Sequence, residues 1–177
     1  MTVDGGEGSY LGPEGQARVD IDRMLAASGW VVQDYRQIAL GQGQGVAVRE
    51  VPLAEGHGVA DYVLFVDREA VGVIEAKKRG MPLTGVEWQS GKYREGVQDL
   101  VPAVTTPLPF AYESTGIETR FTNGFDPEPA SRGVFSFHRP ETLAEWVRAW
   151  RDDPEAATLR QRLVHGLPPL DPTGLWP

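Results

Sequence analysis

The chain of 177 residues carries 17 basic and 25 acidic side chains and 41% hydrophobic residues, which fits one soluble globular domain with a modest extension and excludes two large ones. The absence of cysteine removes disulfides, thiolate zinc sites and cysteine nucleophiles together. A net charge of −8 argues against autonomous gripping of DNA, because phosphate neutralisation by a basic face supplies most non-specific affinity.

Residues 1–12 are Gly-rich and polar, a frayed lead-in. Pro13 stands where a first helical residue would, and Ala17, Ile21, Met24, Leu25 and Ser28 repeat on one helix face that Gly29 terminates. After the connection "WVVQDYRQIALGQGQG" come three β-rich runs, "VAVREVPL", "GHGVADYVLFVD" and "AVGVIEAKK", the pattern of a strand meander. The second and third are apolar almost without alternation, so they are expected to be central. Pro82 breaks the chain, and "TGVE" at Thr84 to Glu87 has the form of a capping box opening a helix over 85–99. Gln89, Tyr93 and Val97 then share a face. Two short strands are predicted in "AVTTPLPFAYES" and "IETRFTNGF", with a turn at Asn123-Gly124.

Pro140 starts a last helix whose stripe of Leu143, Trp146, Val147 and Trp150 is expected to dock on the domain's own sheet. Beyond Asp152 the chain reads as a proline-rich linker. Glycine (21) and proline (14) make up about a fifth of the chain, against a usual share nearer ~12%, so long loops surround the core. No secretory signal pattern and no apolar run near the ~20 residues of a membrane span are present, so the expected location is the cytoplasm.

The informative chemistry lies in "ADYVLFVDREAVGVIEAKK", which puts Asp61 at the head of one strand and Glu75-Ala76-Lys77 on the next. Positions 75 and 77 of a strand face the same side, and charges on a central strand are costly unless paired or bound to a metal. Opposed residues of an antiparallel pair share a face. A two-residue turn at Arg68-Glu69 would set Asp61 against Ala76, on the wrong face. A three-residue turn at 67–69, or a bulge with the same effect, sets Asp61 against Glu75, and this arrangement is predicted. Two carboxylates so placed call for a cation, and all-oxygen ligation suits Mg²⁺ or Mn²⁺. Lys77 could then orient the attacking water and offset charge on a phosphoryl group. As a bare triplet the pattern also fits an ion pair on a solvent-facing sheet edge.

Other signals carry less. Gly41-Gln-Gly-Gln-Gly45 precedes a strand instead of opening a helix, so it reads as a flexible turn and not a phosphate loop. His57, His138 and His165 lack ligand spacing. Lys78 and Arg79 fit either phosphate contacts or a solvated strand end.

The spacing of Asp61 and Glu75-Ala76-Lys77, with Gln89-x-x-x-Tyr93 downstream, resembles the PD-(D/E)xK nuclease domain at the N-terminus of the restriction (R) subunit of type I restriction enzymes. "GVADYVLFVD", "VGVIEAKK", "PFAYESTG", "TRFTNGFDP" and "FHRPETLAEW" carry the likeness from about residue 10 to 177. It implies an α/β, restriction-endonuclease-like fold, a mixed central sheet flanked by helices with a C-terminal helix and linker. The nuclease core would be 13–138, and 139–177 would lead towards a helicase motor. By the same resemblance Asp61, Glu75 and the Ala76 carbonyl bind the metal and Lys77 is the catalytic lysine, with Gln89 and Tyr93 in support. An acid from the first helix is expected too: Glu14, with Asp20 and Asp22 as rivals.

No G-x-x-x-x-G-K-[S/T] is present, so no ATP site is expected in this chain. The implied activity is Mg²⁺-dependent (or Mn²⁺-dependent) hydrolysis of DNA phosphodiesters, in a type I restriction-modification system. Double-stranded DNA, modification and specificity subunits, and a motor acting in trans are the implied partners. The rival readings are a non-cleaving subunit-docking module and a stand-alone repair nuclease of the same fold. All three lysines fall in residues 60–100, where six basic groups nearly balance seven acidic ones. The net negative charge therefore lies elsewhere, and the DNA is expected to be held by other subunits.

Overall fold

Pro13 fixes the backbone for a first helical turn and gives up an amide that would lack an intrahelical partner. From it runs α1 (Pro13–Ala27) in the computed structural model, which describes residues 12–53, 58–83, 102–155 and 158–166. The expected helix 85–99, with its capping box, Gln89 and Tyr93, and His57 lie outside these residues. Ala17, Ile21 and Leu25 are fully buried on the predicted face of α1. Its end is a Schellman turn: Gly29 takes φ +89°, its N–H donates to Ala26 O and that of Trp30 to Leu25 O, each at 3.1 Å.

Seven strands follow: β1 (Val31–Asp34), β2 (Gly45–Pro52), β3 (Val59–Val66), β4 (Glu69–Ala76), β5 (Phe110–Ser114), β6 (Thr119–Asn123) and β7 (Arg132–Val134). They form one sheet in chain order. The β1–β2 and β4–β5 pairs are parallel and the others antiparallel. The predicted meander is β2, β3 and β4, and β3 and β4 have neighbours on both sides as expected. Strands β1 and β7 fall where the sequence suggested only connections. Each is short, and β1 is defined by its pairing with β2 and by Gln33, whose amide group exchanges two hydrogen bonds with the Ala39 backbone (2.8 and 3.1 Å).

Two helices complete the chain. In α2 (Pro140–Asp152) Leu143, Ala144 and Val147 are buried, and Trp150 stacks on Phe125 at 5.0 Å and 9°. The predicted stripe thus docks on the sheet, in the same core as Ile21, Leu25, Tyr62, Ile74 and Phe121. The expected linker holds α3 (Leu159–Gly166). A reciprocal capping box opens it: Thr158 N–H donates to Gln161 Oε1 (2.7 Å) and Gln161 N–H to Thr158 Oγ1 (3.1 Å). A second apolar cluster, including Val48, Val63, Phe65, Val73 and Leu108, lies on the other side of the sheet.

The β3–β4 hairpin sets the register on which the site depends. Its turn is Asp67-Arg68, both with positive φ (49° and 71°), the two-residue form that suits strand twist. Val66 pairs with Glu69 and Phe65 with Ala70; then the register shifts and Leu64 pairs with Gly72. Val71 is the extra residue of a β-bulge. The bulge is pinned by Ala70, whose N–H donates to Pro102 O (2.8 Å) and whose carbonyl accepts from Val104 N–H (3.0 Å). Beyond it Tyr62 pairs with Ile74, so the continuing register sets Asp61 opposite Glu75. The predicted three-residue turn is absent, and the bulge produces its effect.

His138 lies where α2 meets the sheet. Its Nδ1 is 2.7 Å from the Tyr112 hydroxyl, its carbonyl accepts from Trp30 Nε1 at 2.9 Å, and its ring centroid is 4.4 Å from that of Phe121. Burial, and secondarily the charge of Arg132, lower its pKa to about 4. The unfolded chain therefore binds a proton at His138 that the folded chain refuses. Stability is expected to fall as pH drops from 6.5 to about 4, and His138→Gln should flatten that part of the profile; urea titrations across this range measure both.

Candidate active site

Asp61 on β3 and Glu75 on β4 fall on one face of the sheet, because the bulge restores matching parity up to the Tyr62–Ile74 pair and the continuing register carries it one position further. Asp61 Oδ2 accepts the Ala76 N–H at 3.0 Å, and Oδ1 accepts from Arg18 Nη2 at 2.7 Å. Arg18 reaches down from α1, and its Nη1 also donates to Glu50 Oε1 at 2.8 Å. Burial works against the charge of Arg18, but Asp61 and then Glu50 outweigh it and raise the guanidinium pKa. On β4, Lys77 Nζ pairs with Glu75 Oε1, as the same-side parity of positions 75 and 77 predicts. Lys77 N–H donates to Ser114 O at 2.8 Å, which ties the end of the Glu75-Ala76-Lys77 segment to β5.

The parallel β4–β5 register adds a residue that the sequence reading missed. Glu113 is the partner of Glu75. Burial first, then the charge of Glu75, raise its carboxyl pKa, while Lys77 and Arg120 pull it back. The sequence signal was faint: a Glu alternating with apolar residues in "FAYES", next to Glu75 only once β5 is known to run parallel to β4.

The rival acids of α1 have other work. Asp20, only 6% exposed, pairs with Arg79 and with Arg23 (3.1 Å); the Arg79 hydrogen bond holds its carboxyl below the ordinary range. Arg79 thus anchors the segment after Lys77 to α1, while Lys78 faces solvent. Asp22 accepts the Tyr62 hydroxyl (2.8 Å) and Arg49 (2.9 Å). Glu14 lies in the first turn of α1, four residues before Arg18 and so on the same helix face; its side chain is outside the described residues.

Among the described residues no three His, Asp or Glu side chains converge as metal ligands. The residues do fit a hard dication that keeps several waters, which needs only one or two carboxylates. Asp61 and Glu75 are opposed, and both are already paired with cationic groups. The Asp61 bond to the Ala76 amide also brings that carboxylate beside the Ala76 peptide. Gly72 shapes the strand pair behind them: a Cβ there would lie 2.5 Å from Phe110 O.

A mixed seven-stranded sheet with helices packed against it defines an α/β protein. The structure matches a fragment of an HsdR subunit of a type I restriction enzyme from Vibrio vulnificus YJ016, with a TM-score of 0.54 and 22% identity. The match covers 80% of this chain and 26% of that one, so the chain spans about a quarter of that fragment. Residues 20–125, more than half of the chain, match the family model described as "Type I restriction enzyme EcoKI endonuclease subunit second domain". The chain belongs to that family, and it is a type I restriction enzyme R-subunit domain. No curated protein shows significant similarity to it. Asp61, Glu75, Lys77 and Glu113 all fall inside the matched span.

The Glu75–Glu113 pair has a consequence for stability. Like charges on paired strand positions destabilise a sheet by roughly 0.2–1 kcal/mol. Glu113→Gln is therefore expected to stabilise the protein by up to about 1 kcal/mol at pH 7, measured by urea unfolding in the presence of a chelator.

Proposed function

We propose that this domain is the metal-dependent nuclease of its type I restriction enzyme. The supporting observation is the bulged β3–β4 register, which opposes Asp61 to Glu75 and leaves Lys77 on the Glu75 carboxylate. Asp61, Glu75 and the Ala76 carbonyl would hold Mg²⁺ or Mn²⁺, with Glu14 as an added ligand from α1. When bound, the cation neutralises charge at the scissile phosphate and makes water a better nucleophile at neutral pH. The Asp61 and Glu75 carboxylates fix where that charge sits. The Lys77 ammonium orients the attacking water and faces the negative charge that grows on the phosphoryl oxygens. Gln89 and Tyr93 would support the nuclease activity near the DNA backbone, and the products would end in 5′-phosphate and 3′-hydroxyl.

The proposed substrate is double-stranded DNA, held largely by the modification and specificity subunits. The net charge of −8 supports that division of labour, since the domain lacks the positive charge to hold DNA alone. A plasmid-nicking assay with Mg²⁺ or Mn²⁺ tests the reading. Lys77→Ala is expected to cut at least about 100-fold more slowly than wild type, the usual cost of losing a charge-stabilising group. A wild-type protein with no metal-dependent nicking, or a Lys77→Ala variant as active as wild type, would favour the non-cleaving docking module.

A further inference from the structure

Arg18 already occupies the carboxylate assigned to the metal. One guanidinium bridges two acids from adjacent strands, with Nη2 on Asp61 at 2.7 Å and Nη1 on Glu50 at 2.8 Å. The two contacts are unequal: the Asp61 side chain is 22% exposed and that of Glu50 is 65% exposed. Glu50 stands opposite Asp61, between the Arg49–Tyr62 and Val51–Ala60 pairs. Its φ of 53° is rare for a non-glycine residue within a strand. The chain thus spends backbone strain at the residue that shares Arg18 with Asp61.

We propose that Arg18 is an internal counter-ion that stands in for the metal. It neutralises Asp61 and Glu50 in the metal-free protein, and it moves off Asp61 onto Glu50 when a divalent cation binds. This rests on the reading of Asp61 and Glu75 as metal ligands. The physical reason is charge. A guanidinium and a dication that share one partly sheltered carboxylate repel each other, whereas removal of the guanidinium alone leaves Asp61 and Glu50 to repel. Glu50 gives the displaced cation a solvated place to stay. Arg18 is therefore a positioning residue that sets metal affinity and takes no part in the chemical step.

Calorimetric titration of Mn²⁺ into the full chain tests this, with wild type, Arg18→Gln, Asp61→Asn and Arg49→Gln. Arg49 lines the same cleft but pairs with Asp22 and Asp34, so its variant controls for general loss of positive charge. Arg18→Gln is expected to bind Mn²⁺ at least about five-fold more tightly than wild type, and Arg49→Gln to change affinity less than about two-fold. If Arg18 merely held Asp61 in place, Arg18→Gln would bind more weakly. Equal or weaker binding, with wild-type binding still dependent on Asp61, overturns this inference alone. No binding to either protein, or binding that survives Asp61→Asn, overturns the metal reading with it. A second measurement covers the case in which Arg18→Gln does not fold: the Arg18 side-chain N–H resonances of the wild-type protein should shift on saturation with Mg²⁺. Resonances that stay in place contradict the proposal.

Discussion

A single extra residue in β4 determines whether Asp61 and Glu75 share a face of this sheet. The Asp67-Arg68 turn on its own would align Asp61 with Ile74 and send the two acids to opposite faces, since side chains alternate along a strand. Val71 corrects the parity. The correction is held by a core side chain only 1% exposed and by the two backbone hydrogen bonds of Ala70 to the 102–104 segment. A bulge in the middle of a sheet interrupts the ladder, and here the interrupted groups find partners in the connection that leads to β5. Gly72, next in line, lets β5 approach to within the space a Cβ would need. The closeness of β5 in turn places Glu113 beside Glu75.

Charge around the site is matched at short range. Arg18, Lys77, Arg79 and Arg49 each pair with carboxylates: Asp61 and Glu50, Glu75, Asp20, and Asp22 with Asp34. The overall charge of −8 therefore does not describe the local field. Asp20 and Arg79 form a tie between α1 and the end of the Glu75-Ala76-Lys77 strand, and the Gly116 turn packs into the same helix, where a Cβ would lie 2.7 Å from that of Asp20. These structural pairs hold α1 over the sheet. The pairs on Asp61 and Glu75 are the ones a metal would have to rearrange.

Much of the fold was legible because its signals are local. Pro13 and the spacing of Ala17, Ile21 and Leu25 marked α1, three apolar runs marked β2 to β4, and Pro140 with Leu143 and Val147 marked α2. The pairing of Asp61 with Glu75 was legible as a parity requirement, though not the device that meets it: a bulge depends on what lies behind the strand, in this case residues 102–104. β1 and β7 were missed because four- and three-residue strands carry too little pattern, and β1 owes its form to a parallel neighbour. The same non-local pairing hid Glu113. α3 was readable in principle, since Thr158-x-x-Gln161 is a capping box, but the surrounding prolines masked it. Asp20 and Asp22 could not be separated from Glu14 by sequence, because only the folded structure shows that Arg79 and Tyr62 claim them.

The metal position proposed for Asp61 and Glu75 depends on the bulged hairpin. Anomalous diffraction from crystals soaked in Mn²⁺ tests it most directly. A peak is expected between the two carboxylates, within coordination reach of oxygen atoms of both. Crystals saturated with Mn²⁺ that show no peak there, or that show the ion held by other residues, would contradict it.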